Sequence, residues 1–255
     1  MNTGDLDLTL SDTRWRKELD NTVGNWNVHF WEKYKDDCYA FGLWCADGYH
    51  RSSSIGITNI DIRLVEKFRE FLLKEFPEQR LRLRMYHPQG IKPELSEFQH
   101  LSTDIVSYPM RKSAQVAMQL YVNSRPLLRL IQMSRKNVGL MDDREQIAAY
   151  FAGRFDGDGS VSADGKTYCR IAYSTEAEAR TDQGLLAKIG CEKTSVYHYR
   201  RAQEYVLYIS KNIAQSFVGL ISRYATTTPE MHVPVPVETF PPFLRKDRED
   251  ERSAG

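Results

Sequence analysis

Apolar residues recur along the chain with two alternating spacings, and these predict a repeated order of helices and strands. Spacings of three and four predict helices near 27–46, 62–76, 124–135, 176–190 and 211–224. Strict alternation predicts strands near 50–59, 81–87, 104–110, 114–122, 160–174, 193–201 and 204–210. A further helix is expected after Asp142-Asp143, because aspartate is a good N-cap. The order predicts an α/β (α+β) fold in two halves, each with its own sheet.

Two nine-residue segments of the chain align without gaps. Residues 40–48 read AFGLWCADG and residues 151–159 read FAGRFDGDG, so both contain G-x-x-x-x-D-G. The matched pairs are Gly42 with Gly153, Asp47 with Asp158, and Gly48 with Gly159. This repeat predicts two halves with approximate twofold symmetry, over 27–138 and 139–228. An N-terminal extension over 1–26 and a proline-rich strap with a charged, disordered tail over 229–255 flank them.

Four glycines in the repeat carry structural information. Gly48 and Gly159 are expected to let the chain leave each helix in a left-handed conformation. Gly42 and Gly153 lie inside the helices, where glycine costs about 1 kcal/mol relative to alanine. The same cost at two matched positions predicts close contact between the two helices.

The repeated aspartates carry the candidate chemistry. Helix contact would bring Asp47 and Asp158 together at two negative helix ends, where a divalent cation would relieve their repulsion. Oxygen ligands suit Mg²⁺, and carboxylates with metal suit phosphodiester hydrolysis. A single Asp-Gly after a helix is usually a turn sequence. Two at matched positions favour a functional site.

Composition narrows the class of protein. No run of the 255 residues approaches 18 apolar positions, and the N-terminus lacks a basic region followed by an apolar stretch, so we expect neither a membrane span nor a secretory signal. Four cysteines without a CxxC pair argue against a disulfide scaffold or a structural zinc site. Lys+Arg 35 against Asp+Glu 34 is nearly balanced, so nucleic-acid binding requires charges segregated by face. We expect the protein in the cytoplasm or in an organellar matrix or nucleoid.

Basic and aromatic residues lie on or beside the predicted strands. Arg82, Arg84 and Tyr86 alternate with apolar residues, and such strands supply arginine to guanine edges and lysine to phosphates. The candidate DNA contacts are Arg51, Arg82, Arg84, Tyr86, Arg111, Lys112, Lys166, Arg170, His198, Arg200 and Arg201. Taken singly each is a common surface residue, so the prediction rests on the set.

AFGLWCADG and FAGRFDGDG resemble the two motifs of single-chain LAGLIDADG homing endonucleases. The second matches closely, whereas the first has Cys45 where aspartate is usual. The resemblance covers most of 27–228 and implies two αββαββα halves, each with an antiparallel saddle-shaped sheet, with the motif helices packed at the interface. It implies a monomeric, site-specific endonuclease. Such an enzyme would cut both strands of a long double-stranded DNA target across the minor groove, leaving 3′ overhangs.

The resemblance also implies roles for individual residues. Asp47 and Asp158 would be catalytic and would bind Mg²⁺, with Gly48 and Gly159 completing the metal site. Mn²⁺ or Ca²⁺ could replace Mg²⁺, and Ca²⁺ would not support cleavage. The resemblance assigns supporting catalytic roles to Asn59, Thr175 and Lys136.

The resemblance also indicates that the two halves differ in the residues around their motifs. The resemblance gives Asp156 a structural role, and Ala225-Thr226-Thr227-Thr228 stands where the second half would carry its lysine. Unequal cutting of the two strands follows as an expectation. An RNA maturase that binds intron RNA, a DNA-binding regulator without cleavage, and a structural α/β interaction protein stay open as alternatives.

Overall fold

The computed structural model of the chain describes residues 34–51, 53–91, 93–111, 115–162 and 168–227. The predicted extension over 1–26, the strap and tail over 229–255, Lys112 and Lys166 lie outside this part. No helix within it is long and apolar enough to cross a membrane.

The helices and strands follow the predicted order. The α-helices are α1 (Cys38–Asp47), α2 (Ile62–Leu73), α3 (Arg125–Lys136), α4 (Arg144–Asp158), α5 (Glu176–Lys188) and α6 (Lys211–Ile221). The strands are β1 (Gly48–Arg51), β2 (Ser54–Asn59), β3 (Arg82–Pro88), β4 (Asp104–Met110), β5 (Ala117–Asn123), β6 (Gly159–Ser162), β7 (Tyr168–Tyr173), β8 (Thr194–Tyr199) and β9 (Glu204–Ile209). Within the described residues α1 begins at Cys38, after a 3₁₀ turn at Lys35–Asp37, and the predicted start near residue 27 lies outside them. The segments expected near 50–59 and 160–174 are each two antiparallel strands.

Side-chain caps fix where four of the helices begin. The carboxylate of Asp61 accepts a hydrogen bond from the backbone N–H of Arg63 at the start of α2. Ser124, Asp143 and Thr175 accept equivalent bonds at the starts of α3, α4 and α5. The prediction of an N-cap at Asp142-Asp143 is therefore confirmed at Asp143.

The first compact unit contains the described residues up to Asp158 together with 221–227. Its five-stranded sheet has the order β1-β2-β5-β3-β4, and α2 packs on β2 and β5. The helix-facing side carries buried apolar residues, among them Ile55, Ile57, Leu83, Met85 and Leu120. Both helices that end in the repeated aspartates, α1 and α4, belong to this unit. The two compact units divide after Asp158, and the halves predicted over 27–138 and 139–228 stay a prediction.

The first sheet departs from the implied αββαββα order. β4 is an additional edge strand, and it pairs parallel to β3 with Arg82 beside Asp104. The parallel direction is possible because residues 89–103 connect the two strands, with buried Leu101 anchoring the connection. The expectation of wholly antiparallel sheets is therefore wrong for this edge.

The second compact unit contains Gly159–Leu220 within the described residues. Its sheet has the order β6-β7-β9-β8 with antiparallel pairing throughout. Helix α5 packs on β7, β8 and β9. The core includes Ile171, Leu186, Leu207, Ile209 and Phe217.

Candidate active site

Two glycines let α1 and α4 pack backbone against backbone. A β-carbon at Gly42 would lie 2.0 Å from the carbonyl oxygen of Tyr150, and one at Gly153 would lie 2.0 Å from that of Tyr39. Tyr39 and Tyr150 are matched residues of the repeat, so the contact is reciprocal. The predicted helix interface at Gly42 and Gly153 is present, and only glycine fits it without separating the helices.

The glycine after α1 has a different structural role from the predicted one. Gly48 has φ −62° and ψ 125°, and neither it nor Gly159 has a positive φ. A β-carbon at Gly48 would lie 2.2 Å from the carbonyl oxygen of Trp44. Glycine is required here because the chain turns directly from the helix into β1 over its last turn, and not by a left-handed conformation.

The helix contact brings the repeated aspartates together. A β-carbon at Gly157 of α4 would lie 2.8 Å from Oδ2 of Asp47, which places the Asp47 carboxylate over the last turn of α4 beside Asp158. Burial, reinforced by the charge of Asp158, raises the pKa of Asp47 to about 6. The prediction that Asp47 and Asp158 lie close together is confirmed, and their catalytic and metal-binding roles stay predictions.

Asn59 orients the carboxylate of Asp47. Its side-chain amide donates a hydrogen bond of 2.8 Å to Oδ2 of Asp47, which favours the charged form of that acid. The amide oxygen accepts a bond of 2.7 Å from the backbone N–H of Asp61, so the orientation of the amide is fixed. Asn59 therefore lies where the resemblance implied.

Thr175 is not the counterpart of Asn59. Gly48 pairs with Ile57 and Gly159 pairs with Ile171, so the residue equivalent to Asn59 is Tyr173. The hydroxyl of Tyr173 donates to buried Asp182 at 2.8 Å. Thr175 lies two residues further along, where its hydroxyl caps α5 and donates to Glu178. The pairing read from the sequence was shifted by two residues, because it assumed a strand that extends to residue 174.

A buried arginine lies beside the two acids. Arg154 is 3% exposed, and its Nη1 lies 3.8 Å from Oδ2 of Asp158. Its charge also opposes the rise in the pKa of Asp47. The matched residue in α1 is the buried Leu43, so only α4 supplies a cation at this position. Sequence reasoning missed Arg154, although an arginine inside an otherwise apolar motif was visible in FAGRFDGDG.

We expect Arg154→Leu to bind Ca²⁺ about tenfold more tightly, because a nearby positive charge repels a divalent ion by about 1 kcal/mol or more. Calorimetric titration with Ca²⁺ measures this without requiring catalysis. Arg154→Lys keeps the charge and should resemble the wild type. If Arg154→Leu and Arg154→Lys bound Ca²⁺ with equal affinity, the charge of Arg154 would have no effect on the metal site.

Asp156 is engaged by the segment that follows α6. Its carboxylate accepts hydrogen bonds of 2.7 Å from the hydroxyl of Tyr39 and from the backbone N–H of Thr226, and another from the hydroxyl of Thr227. Burial and the charge of Asp156 raise the pKa of Tyr39, so this hydroxyl stays a donor. These contacts give Asp156 a structural role. Thr226 and Thr227, which stand where a lysine was expected, contact α4 through this carboxylate.

The donor set fits a divalent ion held partly by substrate. Among the described residues no group of three or more His, Cys, Asp or Glu side chains forms a closed metal site. Two carboxylate oxygen donors are what Mg²⁺ takes from protein when phosphates and water supply the other ligands. Asp47 and Asp158 would hold the ion. Ligation by Gly48 and Gly159 stays a prediction.

The outward face of the first sheet is basic and polar near β3. Arg84 lies over the ring of Tyr121, with 4.8 Å between Cζ and the centroid, and its Nη1 lies 3.4 Å from the hydroxyl of Tyr49. The hydroxyl of Tyr86 donates to Gln119 at 3.1 Å. The predicted alternation on β3 is confirmed, since Leu83 and Met85 are buried beneath this face.

The outward face of the second sheet is aromatic. Register makes Tyr197 the equivalent of Arg84 and His198 the equivalent of buried Met85. His198 stacks on Tyr205 on the helix-facing side, so its assignment to the DNA face is wrong. Arg170 does lie on the outward face, over the ring of Tyr168.

The remaining candidates lie at the ends of elements. Arg51 is the last residue of β1 and Arg111 directly follows β4, and both are exposed. Arg200 and Arg201 are exposed in the turn between β8 and β9. Lys136 is the exposed last residue of α3, and its role stays a prediction.

The chain is similar to known proteins in sequence over its second part and in structure over most of its length. Residues 145–222 match the family model of the LAGLIDADG-like domain. A variant of the homing endonuclease I-DmoI in complex with its target DNA and Mn aligns with a TM-score of 0.51 and 17% identity, over 75% of this chain and 96% of that chain. I-DmoI in complex with DNA and Ca gives a TM-score of 0.50 and 16% identity, over 78% and 92% of the two chains. The homing endonuclease I-WcaI bound to its DNA recognition sequence gives 0.49 and 13%, over 82% and 93%.

The chain has the LAGLIDADG homing-endonuclease fold. A comparison with curated proteins gives no match. The two motif-type helices of this LAGLIDADG fold are α1 and α4. At this level of identity the comparisons establish the fold alone.

Proposed function

We propose that this protein is a site-specific, divalent-metal-dependent DNA endonuclease. The proposal rests on the observation that Asp47 and Asp158 lie close together at the ends of α1 and α4, two helices that pack against each other through glycines. A helix pair that served only for packing would gain nothing from two like charges at its end, one of them half-buried. The structural neighbours include two structures of the homing endonuclease I-DmoI, one bound to DNA with Mn and one with Ca, which is consistent with this chemistry.

The residues of the chain have distinguishable roles in the proposed reaction. A bound Mg²⁺ would supply Lewis-acid stabilisation of the phosphate oxygens and a more acidic water. Asp47, oriented by Asn59, and Asp158, beside Arg154, hold the positions of the two carboxylate ligands. The arginines on β3 and β7 would contact base edges or phosphates of duplex DNA.

The finer features of the proposed reaction follow from the same scaffold. We propose that a monomer cuts both strands of a long target across the minor groove and leaves 3′ overhangs. Because Asn59 supports Asp47 whereas its counterpart Tyr173 contacts Asp182, the environments of the two acids differ. One strand is therefore expected to be cut faster than the other.

Selection from a randomised duplex library tests the proposal. Incubation with Mg²⁺ should enrich one family of cleaved sequences, and end sequencing should show 3′ overhangs. Supercoiled plasmid carrying the site should pass through a nicked form before it becomes linear. Enriched binding in Ca²⁺ without cleavage in Mg²⁺ or Mn²⁺ would instead support a regulator, and selective binding of intron RNA would support a maturase.

We expect Lys136→Ala to slow single-turnover cleavage without weakening DNA binding, if this lysine organises solvent near the scissile phosphate. General acid–base groups contribute about 100-fold or more. Quench-flow rates on the selected site provide the measurement, and Lys188→Ala, at the last residue of α5, is the control. Unchanged rates would remove Lys136 from the site.

A further inference from the structure

The additional strand β4 changes the character of the outward face of the first sheet. Val106, Tyr108 and Met110 are 45%, 41% and 46% exposed. We call these three residues the apolar strip. Parallel register places them beside Arg84, Tyr86 and Pro88 on the same face. The second sheet ends at β8 and has no corresponding strand among the residues described for it.

The apolar strip is continuous with the polar face of β3. The rings of Tyr86 and Tyr108 stack with centroids 5.8 Å apart, and Tyr86 also donates to Gln119. One strand of this edge therefore carries arginine, and the next carries aliphatic and aromatic groups. Val106, Tyr108 and Met110 are contiguous on one face of β4, and contiguous exposed apolar groups are typical of an interaction site.

We propose that the apolar strip contacts thymine methyl groups in the major groove and extends the DNA site read by the first sheet beyond the bases reached from β3. This inference rests on the proposed function. A two-stranded β-ribbon fits the major groove, and apolar side chains recognise the C5 methyl of thymine there. β3 and β4 form the edge of the five-stranded sheet, with strands about 4.8 Å apart, so β4 would reach roughly one to two base pairs further than β3.

Size and charge favour DNA over a protein partner. A stable protein interface buries about 800 Å² on each side, which three partly exposed side chains on one strand do not provide. The strip is bordered by Arg84 and by exposed Arg111, and the one acid of β4, Asp104, is paired with Arg82 at 3.4 Å. The border therefore carries positive charge from Arg84 and Arg111, while the charge of Asp104 is neutralised by Arg82, and this suits a polyanion.

Replacement of thymine by deoxyuridine tests the proposal, because it removes only the methyl group. Binding is measured in Ca²⁺ on the site selected by cleavage or by binding, so that the test does not depend on catalysis. At one to three outer positions of a single half-site, deoxyuridine should weaken binding about fourfold each. Val106→Ala/Met110→Ala should weaken binding to the thymine site and lose this sensitivity. Ile60→Ala, at a residue 59% exposed in the turn after β2, should retain it.

The possible results are distinct. Uniform tolerance of deoxyuridine, or a sensitivity that the double variant retains, would overturn the assignment of the strip while leaving the proposed function intact. A change in sedimentation mass of the double variant, without any change in DNA affinity, would identify the strip as a self-association surface and overturn the proposal. If selection enriched no DNA sequence by cleavage or by binding, the proposed function and this inference would both fall.

Discussion

Asparagine in place of Asp47 or Asp158 is expected to abolish double-strand cleavage while leaving specific DNA binding intact. A neutral amide keeps the shape of the side chain but loses the charge that holds a divalent ion. Loss of one electrostatic contributor to such a reaction costs about 100-fold or more in rate. Cleavage and gel-shift assays on the same DNA measure the two properties separately. Asp142→Asn, an exposed acid in front of α4, is the matched control.

Stability should move in the opposite direction to activity in Asp47→Asn. The pKa of Asp47 is about 6 in the folded protein, above its ordinary value, so its ionised form destabilises the metal-free fold at neutral pH. A shift of this size corresponds to about 3 kcal/mol at most, and the asparagine can still accept the bond from Asn59. The gain should be largest above pH 6 and should fade toward pH 4, where the wild-type acid takes up its proton.

Denaturation in EDTA at several pH values measures that gain. An inactive but stabilised Asp47→Asn protein would exclude unfolding as the reason for lost cleavage. Normal cutting by the Asp47→Asn/Asp158→Asn double variant would end the assignment of these acids as catalytic.

The meeting of the two acids was predictable because it follows from local sterics. A glycine inside a helix is unfavourable, so two at matched positions pointed to helix contact before any fold was known. Gly42 and Gly153 do face the backbone of the other helix. Asp47 and Asp158 follow these glycines by five residues, so the contact between the two helices also fixes the two aspartates close together.

Register and edge pairing were not predictable in the same way. The local sequence does not determine which face of β8 carries His198, nor that Tyr173 rather than Thr175 is the counterpart of Asn59. Both depend on which residues of neighbouring strands are paired. The parallel direction of β4 likewise depends on the long connection over 89–103. A left-handed conformation was expected at Gly48, but glycine is required there by close packing against Trp44. Both constraints select glycine, so the sequence does not distinguish them.

Alanine in place of Gly42 or Gly153 should be among the most destabilising single substitutions in the protein. The new methyl group would lie 2.0 Å from a backbone carbonyl oxygen of the facing helix, and backbone cannot rotate away as a side chain can. Overpacking costs about 1–3 kcal/mol in a core, and contact with rigid backbone should place this case at or above about 3 kcal/mol. The cost outweighs the gain of about 1 kcal/mol in helix propensity. Separation of α1 and α4 would also move Asp47 away from Asp158 and abolish cleavage.

The same substitution at Gly184 should have the opposite sign. Gly184 is exposed inside α5, and a β-carbon there would meet nothing within 4 Å. Gly184→Ala should therefore stabilise the protein by about 0.5–1 kcal/mol through helix propensity alone. Urea denaturation of Gly42→Ala, Gly153→Ala and Gly184→Ala compares the three directly. If all three variants shifted the midpoint equally, the close approach of α1 and α4 would be refuted, and with it the physical reason why the two carboxylates meet.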